Sequence, residues 1–284
     1  MHYTQAITES AERRLMLERE LSRAAKVDWA GFSLNYQPVV TSSVEMIAAE
    51  VLLRWTLPDG SVVSPAEFIP LAEKTGYINS LSRWTLQTAC KQLAVWRDSG
   101  VRLSYLAINI SALQLDPHPP TLPLRDLLLD ALSIYKLKPS DLMLEVTEST
   151  LTDESSDCFT QLAELVQLGF LLAIDDFGTG YSSMQQLHRV PATTIKIDKS
   201  FVDTVDSNVS QQAIVESMIF LSKRLDCKTV AEGVESVLQF ESLKAMGCDH
   251  FQGYFFSRPL DVDQFSKALA SPESLAAKHD SIDN

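Results

Sequence analysis

The sequence predicts an α/β fold, a modified (β/α)8 TIM-like barrel whose first strand runs antiparallel to the rest. Three observations predict it. Eight strand-like runs alternate with helical patterns along 284 residues. Only Thr41 to Glu45 separate the first two runs. That is too short for the crossover of a dozen or more residues that parallel neighbours need, so these two pair as a hairpin. Oxygen-bearing side chains also recur at the C-terminal end of nearly every strand, the face on which barrel sites are built.

The elements follow in order. Residues 9–26 have the pattern of a charged helix with Leu17, Leu21 and Ala24 along one side. They suggest a solvated lead-in, so residues 1–26 are expected to form a linker helix, 27–270 the barrel and 271–284 a polar tail. Phe32–Val40 and Met46–Trp55 are the hairpin strands. Ser64-Pro65-Ala66-Glu67 opens a helix with a serine N-cap, proline at the first position and a glutamate placed for a capping box. A longer helix over Leu81–Asp98 carries Leu86, Cys90 and Leu93 on one face and ends near Gly100.

Strands then fall at Tyr105–Ile110, Leu142–Val146, Leu171–Ile174, Thr193–Ile197, Lys228–Ala231 and about His250–Phe256. The helices between and after them lie near Leu124–Tyr135, Ser155–Leu168, Ser183–Arg189, Ser210–Leu225, Ser236–Met246 and Val262–Leu269, with Gly169 and Gly247 at expected C-caps. Asp116–Pro123, with four prolines, is expected to be a rigid loop on the C-terminal rim.

Bulk properties narrow the function. A formal charge of −13 argues against a DNA- or RNA-polymer binder, which needs a basic surface. No apolar stretch approaches the roughly 18 to 20 residues of a membrane helix, and MHYTQAITES is not a signal peptide. Cys90, Cys158, Cys227 and Cys248 are scattered like reduced thiols, which suggests a cytoplasmic location for this domain.

The strand ends carry Gln37, Glu50, Asn109, Glu145 with Glu148, Asp175 with Asp176, Lys196 with Asp198, Glu232 with Glu235, and Gln252. Singly, each is an ordinary solvated rim residue. Together they would pay desolvation and mutual repulsion unless a cation sat among them. The donors are oxygens, without histidine or cysteine, which suits Mg²⁺ or Mn²⁺ over Zn²⁺ or copper. The set exceeds what one Mg²⁺ takes from protein, and paired ions are the apparatus of phosphoester hydrolysis. Lys196 either balances the acids or orients or deprotonates an attacking water. Gly178-Thr179-Gly180 lacks the G-x-x-x-x-G-K pattern and is read as a mobile loop beside the ions.

The motifs YQPVV (36–40), EVLLRW (50–55), SPAEFIPLAE (64–73), INIS (108–111), LEVTES (144–149), DDFGTGYSS (175–183), KIDKSF (196–201), AEGVES (231–236) and QGYFFSRP (252–259) occur in this order. On them, residues 25–270 closely resemble the EAL family of cyclic di-GMP phosphodiesterases. The resemblance implies metal-dependent hydrolysis of cyclic di-GMP to linear pGpG. It implies Glu50, Asn109, Glu145, Asp175, Asp176 and Glu232 as ligands of two ions and Lys196 beside the attacking water. Glu148 would hold the loop after Asp176, a loop that also joins homodimer contacts with adjacent helices. Lys196, Glu232, Glu235 and Glu148 would be the catalytic residues, with Glu235 and Gln252 needed around the site, and Gln37, Arg54, Asp198 and Gln252 would contact substrate. An upstream sensory or GGDEF domain, in a protein that is soluble or membrane-anchored elsewhere, is also implied.

Two departures bear on these expectations. Val51 stands where the signature has alanine, but it points away from Glu50 along the strand, so the ligand is retained. The proline-rich stretch is longer than usual, which bears on substrate access or dimer geometry. The alternatives are a degenerate module that only binds the nucleotide or another protein, and a barrel enzyme using one Mg²⁺ and a lysine base, which would leave several acids idle.

Overall fold

The structure, a computed structural model, describes residues 2–115, 123–152, 156–180, 187 and 189–270, with 2–10, 152 and 156 as backbone only. Three expectations lie outside these residues: the proline-rich stretch over 116–122, most of the short helix near 183–189, and the tail from Ser271.

The strands are β1 Phe32–Thr41, β2 Met46–Thr56, β3 Val62–Val63, β4 Tyr105–Asn109, β5 Leu142–Thr147, β6 Leu171–Phe177, β7 Thr194–Ile197, β8 Lys228–Ala231 and β9 His250–Phe251. They hydrogen-bond in the order β1-β9-β8-β7-β6-β5-β4-β2, and β1 also pairs with β2, which closes an eight-stranded barrel. From β2 through β9 the pairs are parallel, whereas β1 meets β9 antiparallel, with Val40 opposite Phe251. The expected hairpin is present: Thr41 N donates to Glu45 O, and Val44 takes a positive φ of 61° in the turn. β3 was not anticipated; two residues are too few to show an alternation, and it pairs only with the far end of β2.

Two compact units make up the chain: Met1–Leu34 with Leu53–Ala89, and Asn35–Leu52 with Cys90–Asn284. In the first, the leading helix spans His2–Lys26, beyond the 9–26 pattern and close to the 1–26 expected of the linker helix. Leu17, Leu21 and Ala24 are buried in a cluster with Trp29, Phe32, Trp55 and Phe68, so this side of the helix is packed rather than solvated. Phe32 stacks on Trp55 at 5.0 Å and meets Phe68 edge-on at 5.5 Å. The capping box is not formed: Ser64 Oγ accepts from Ala66 N, and the Glu67 carboxylate is taken by the Arg13 guanidinium at 2.6 and 2.9 Å. Ser64 Oγ meets the N2 amide rather than the N3 amide that the box requires.

The second unit owes its site to the period-two alternation of strands. Ala48, Ala107, Met143, Ala173 and Val230 form one buried apolar cluster. Each lies two residues before Glu50, Asn109, Glu145, Asp175 or Glu232, so successive inward positions stack an apolar plug and then a polar layer. On the reversed strand β1 the order inverts, and Val39 in the plug follows Gln37. Outside the barrel, Ile197 and Ala231 pack against Val215 and Ile219 of the helix Val209–Arg224 and Phe240 and Leu243 of the helix Val237–Ala245. Ser236 and Gln239 form a capping box there, and Gly169 and Gly247 take positive φ at the expected helix ends.

The last strand stops at Phe251, short of the expected Phe256. A Cβ on Gly253 would lie 2.1 Å from Val234 O and 2.3 Å from Val234 N, so the chain turns there against the loop after β8. Phe255 N donates to Val234 O, which holds the turn.

Candidate active site

The polar layer centres on Lys196, only 2% exposed. Its Nζ lies 2.7 Å from Glu232 Oε1, 3.0 Å from Glu145 Oε1, 3.3 Å from Asp175 Oδ1 and 3.6 Å from Glu50 Oε2. Strand register explains the convergence: Asn109 lies beside Glu145 across β4–β5, and Lys196 beside Val230 across β7–β8. Burial works against the Lys196 ammonium, but the four carboxylates outweigh it and push its pKa well up. The acids are raised as well, but chiefly by burial. Burial raises Glu145 well above the usual carboxylate range, with Lys196 opposing and Glu50, Asp175 and Glu232 adding to the rise. Glu232 is pushed up to about 8 by burial first.

Adjacent strand residues ordinarily point to opposite faces, yet Asp175 and Asp176 both serve the pocket. The β6–β7 pairing shifts register between Ile174 and Phe177, and Asp176 takes a left-handed φ of 54°. This bulge turns the second aspartate inward. One carboxylate oxygen each from Asp175, Asp176 and Glu232 then lies within 4.8 Å of the other two. Burial and the neighbouring Asp175 charge raise the Asp176 pKa.

Glu50 is held from both sides. Asn109 Nδ2 donates to Oε1 at 3.0 Å, and Gln252 Nε2 donates to Oε2 at 2.7 Å. Gln252 Nε2 also reaches Gln37 Oε1 at 3.2 Å, and Gln37 Nε2 donates to Ser257 O at 3.2 Å. Gln37 and Gln252, expected as substrate and site residues, thus form a buried amide relay that fixes one carboxylate. Glu148, 4% exposed, accepts from Gly178 N at 2.8 Å and Gly180 N at 3.1 Å with one oxygen. It clamps the loop after β6.

Three expected residues stand elsewhere. Glu235 is not among the acids around Lys196; it is exposed on the cavity wall and paired with Lys199 Nζ. Asp198 caps the short helix Lys199–Val202, accepting from Ser200 N at 3.0 Å. Arg54 belongs to the first unit and donates to Leu53 O at 3.0 Å. Lys199 carries no role expected from the sequence, although it is a cation two residues after Ile197, the neighbour of the strand-end Asp198, in the same motif, KIDKSF.

The donor set fits divalent cations. One ammonium faces four carboxylates, so charge is short on the positive side. Glu145 Oε2 and Gln252 Oε1 are buried acceptors without a hydrogen-bond donor among the described residues. The oxygens suit a hard ion of the Mg²⁺ or Mn²⁺ type. A cavity of about 240 Å³ opens onto Glu50, Asp175 and Glu232.

A cation-deficient ring of carboxylates at the C-terminal mouth of an α/β barrel defines a class, barrel proteins built to take divalent metal at the strand ends. More narrowly, the chain belongs to the EAL domain family, which matches over residues 18–259. MucR of Pseudomonas aeruginosa, a bifunctional diguanylate cyclase/cyclic di-GMP phosphodiesterase, is 38% identical over 269 residues, 94% of this chain and 38% of MucR. The cyclic di-GMP phosphodiesterase PdeR of Escherichia coli is 34% identical over 253 residues, 89% of this chain and 37% of PdeR. The chain therefore spans less than two fifths of either relative. The structure of the MucR phosphodiesterase in complex with c-di-GMP superposes with a TM-score of 0.81 at 39% identity, covering 88% of this chain and 99% of that one.

Proposed function

We propose that this chain hydrolyses one phosphodiester of cyclic di-GMP to linear pGpG with two Mg²⁺ or Mn²⁺ ions. The observation that carries the proposal is the convergence of Glu50, Glu145, Asp175 and Glu232 on one buried ammonium, with Asp176 turned in by a bulge. With Asn109, these residues would hold the ions. Bound there, the ions would supply the acidity that makes a water nucleophilic and the positive charge that a cleaved phosphate requires.

The protein's own groups do the rest. The Gln37–Gln252 relay and Asn109 fix the Glu50 carboxylate before any ligand arrives, which limits reorganisation during the reaction. Lys196 keeps its proton while the acids around it are uncompensated; once their charge is taken up by cations, its hold on that proton weakens. Its Nζ is then poised to orient the attacking water or exchange a proton with it. Glu148 keeps the loop after Asp176 in place, and Arg54 and Asp198 are assigned to substrate contact, with Glu232 and Glu235 supporting the site. A homodimer through that loop and adjacent helices, an upstream GGDEF or sensory domain and a cytoplasmic setting belong to the same proposal. That the chain spans under two fifths of MucR and PdeR supports a further domain in the full-length protein. Among the described residues no helix is long and apolar enough to cross a membrane.

The test is direct. The purified chain incubated with cyclic di-GMP and Mn²⁺ is expected to yield pGpG by ion-exchange chromatography, and a chelator is expected to stop it. Ca²⁺, with a larger and looser shell, is expected to bind but support little turnover. Absence of pGpG with Mn²⁺ would overturn the assignment.

A further inference from the structure

The cavity presents a difficulty for an anionic ligand. Glu50, Asp175, Glu232 and Glu235 all line it, and among the described residues that do so Lys199 is the one cationic side chain. Lys196 lies below, enclosed by acids. A cyclic dinucleotide carries two phosphate charges, and cations held by the carboxylates would face only the one being cleaved. The other phosphate needs a positive group on the wall.

We infer that Lys199 is a substrate-positioning residue that binds the phosphate not being cleaved; the inference rests on the cyclic di-GMP reading above. The backbone is built to let it lie there. Gly233 takes φ +66°, and a Cβ on it would fall 2.4 Å from Lys199 Cγ and 2.6 Å from Lys199 Cβ, so the missing side chain leaves the slot that the lysine stem occupies. Asp198 caps the turn from which the stem leaves β7. At its tip, Nζ donates to Glu235 Oε1, while Asp203 stands at 4.0 Å, beyond hydrogen-bond range. An ammonium has three donors. Glu235 therefore fixes the position of the charge without exhausting it, and a phosphate oxygen can be taken without breaking the pair. The pair is half exposed, so it costs little to rearrange. Glu235, expected to be catalytic, acts on this account through Lys199.

The test uses the whole chain with Lys199→Met and Lys199→Arg. With Ca²⁺ present, calorimetry is expected to show Lys199→Met binding cyclic di-GMP at least about tenfold more weakly, with a shallower dependence on salt. Lys199→Arg should recover most of the affinity. In turnover with Mn²⁺, the loss should fall on KM more than on kcat. It should also be larger for cyclic di-GMP than for bis(p-nitrophenyl) phosphate, which carries one phosphate. A Lys199→Met protein of normal circular dichroism that binds within twofold of wild type would overturn the inference alone. A wild-type chain that neither binds nor cleaves cyclic di-GMP would overturn the functional reading and this inference together.

Discussion

Lys196 and Glu145 face each other at 3.0 Å, both 2% exposed, yet their removal should have opposite consequences. Lys196→Met would leave four carboxylates without their shared cation. Breaking a buried pair by removing one partner costs about 3–5 kcal/mol, so urea unfolding of the metal-free variant near neutral pH is expected to show a loss of that order. Glu145→Gln removes one of several like charges and leaves Lys196 three partners. Its unfolding free energy is expected to match or exceed that of the wild type, while pGpG formation falls by about a hundredfold or more, as for a lost metal ligand. A Glu145→Gln protein that is both destabilised and active would contradict this separation of fold from chemistry. Glu148 acts at one remove. Its oxygen accepts two backbone N–H groups, and bonds to a charged acceptor contribute about 1.5–3 kcal/mol each. Glu148→Ala should therefore speed hydrogen exchange at the Gly178 and Gly180 amides and lower turnover without lowering Mn²⁺ affinity. Unchanged exchange at those amides would remove the clamp.

Elements differ in how much of them the chain displays. The row of oxygen-bearing side chains was legible, because each stands where a strand-like run stops, as Asp175 after Leu171–Ile174 and Glu232 after Lys228–Ala231; the apolar plug beneath it was not. The hairpin was legible from its five-residue gap. What escaped depended on partners distant in the chain. Arg13 takes Glu67 across 54 positions. The turn at Gly253 is set by the backbone of Val234, and the bulge at Asp176 by a slip against β7, so neither leaves a local periodicity. The leading helix is the clearest case: its charged composition looks solvated, but Leu17, Leu21 and Ala24 reach an aromatic cluster assembled from residues up to Leu81. Leu21 is fully buried. Leu21→Ala is expected to cost about 2–5 kcal/mol, the range for emptying a leucine site in a packed core. The shift should be visible in urea unfolding followed by the fluorescence of Trp29, Trp55 and Trp84, and a loss below about 1 kcal/mol would mean that the helix is only loosely docked.

At the scale of the molecule, the site acts as a pH-dependent load that metal removes. Without cations, Glu232 is raised from 4.5 to about 8, and Glu145 and Asp176 are raised with it, in each case by burial first. A carboxyl raised in the folded state holds its proton there while the unfolded chain has already lost it. Stability is then intact below about 4.5, declines as pH rises through the gap, and is fully reduced above about 8. The overall charge of −13 adds self-repulsion in the same direction. Divalent ions at the proposed site would bind the deprotonated groups, expelling protons and restoring what high pH removes. The thermal midpoint gained on adding Mn²⁺ is therefore expected to be larger at about pH 8.5 than at about pH 6, with proton release measurable in weak buffer at the lower value. Comparing loaded and metal-free protein at each pH cancels the general repulsion, and Glu145→Gln, which deletes one raised group, should flatten the dependence. Equal gains at both pH values, or binding with no proton released, would mean that these carboxylates are already ionised without metal. The crowding of Glu50, Glu145, Asp175 and Glu232 about one lysine would then have to be relieved by something other than a divalent ion.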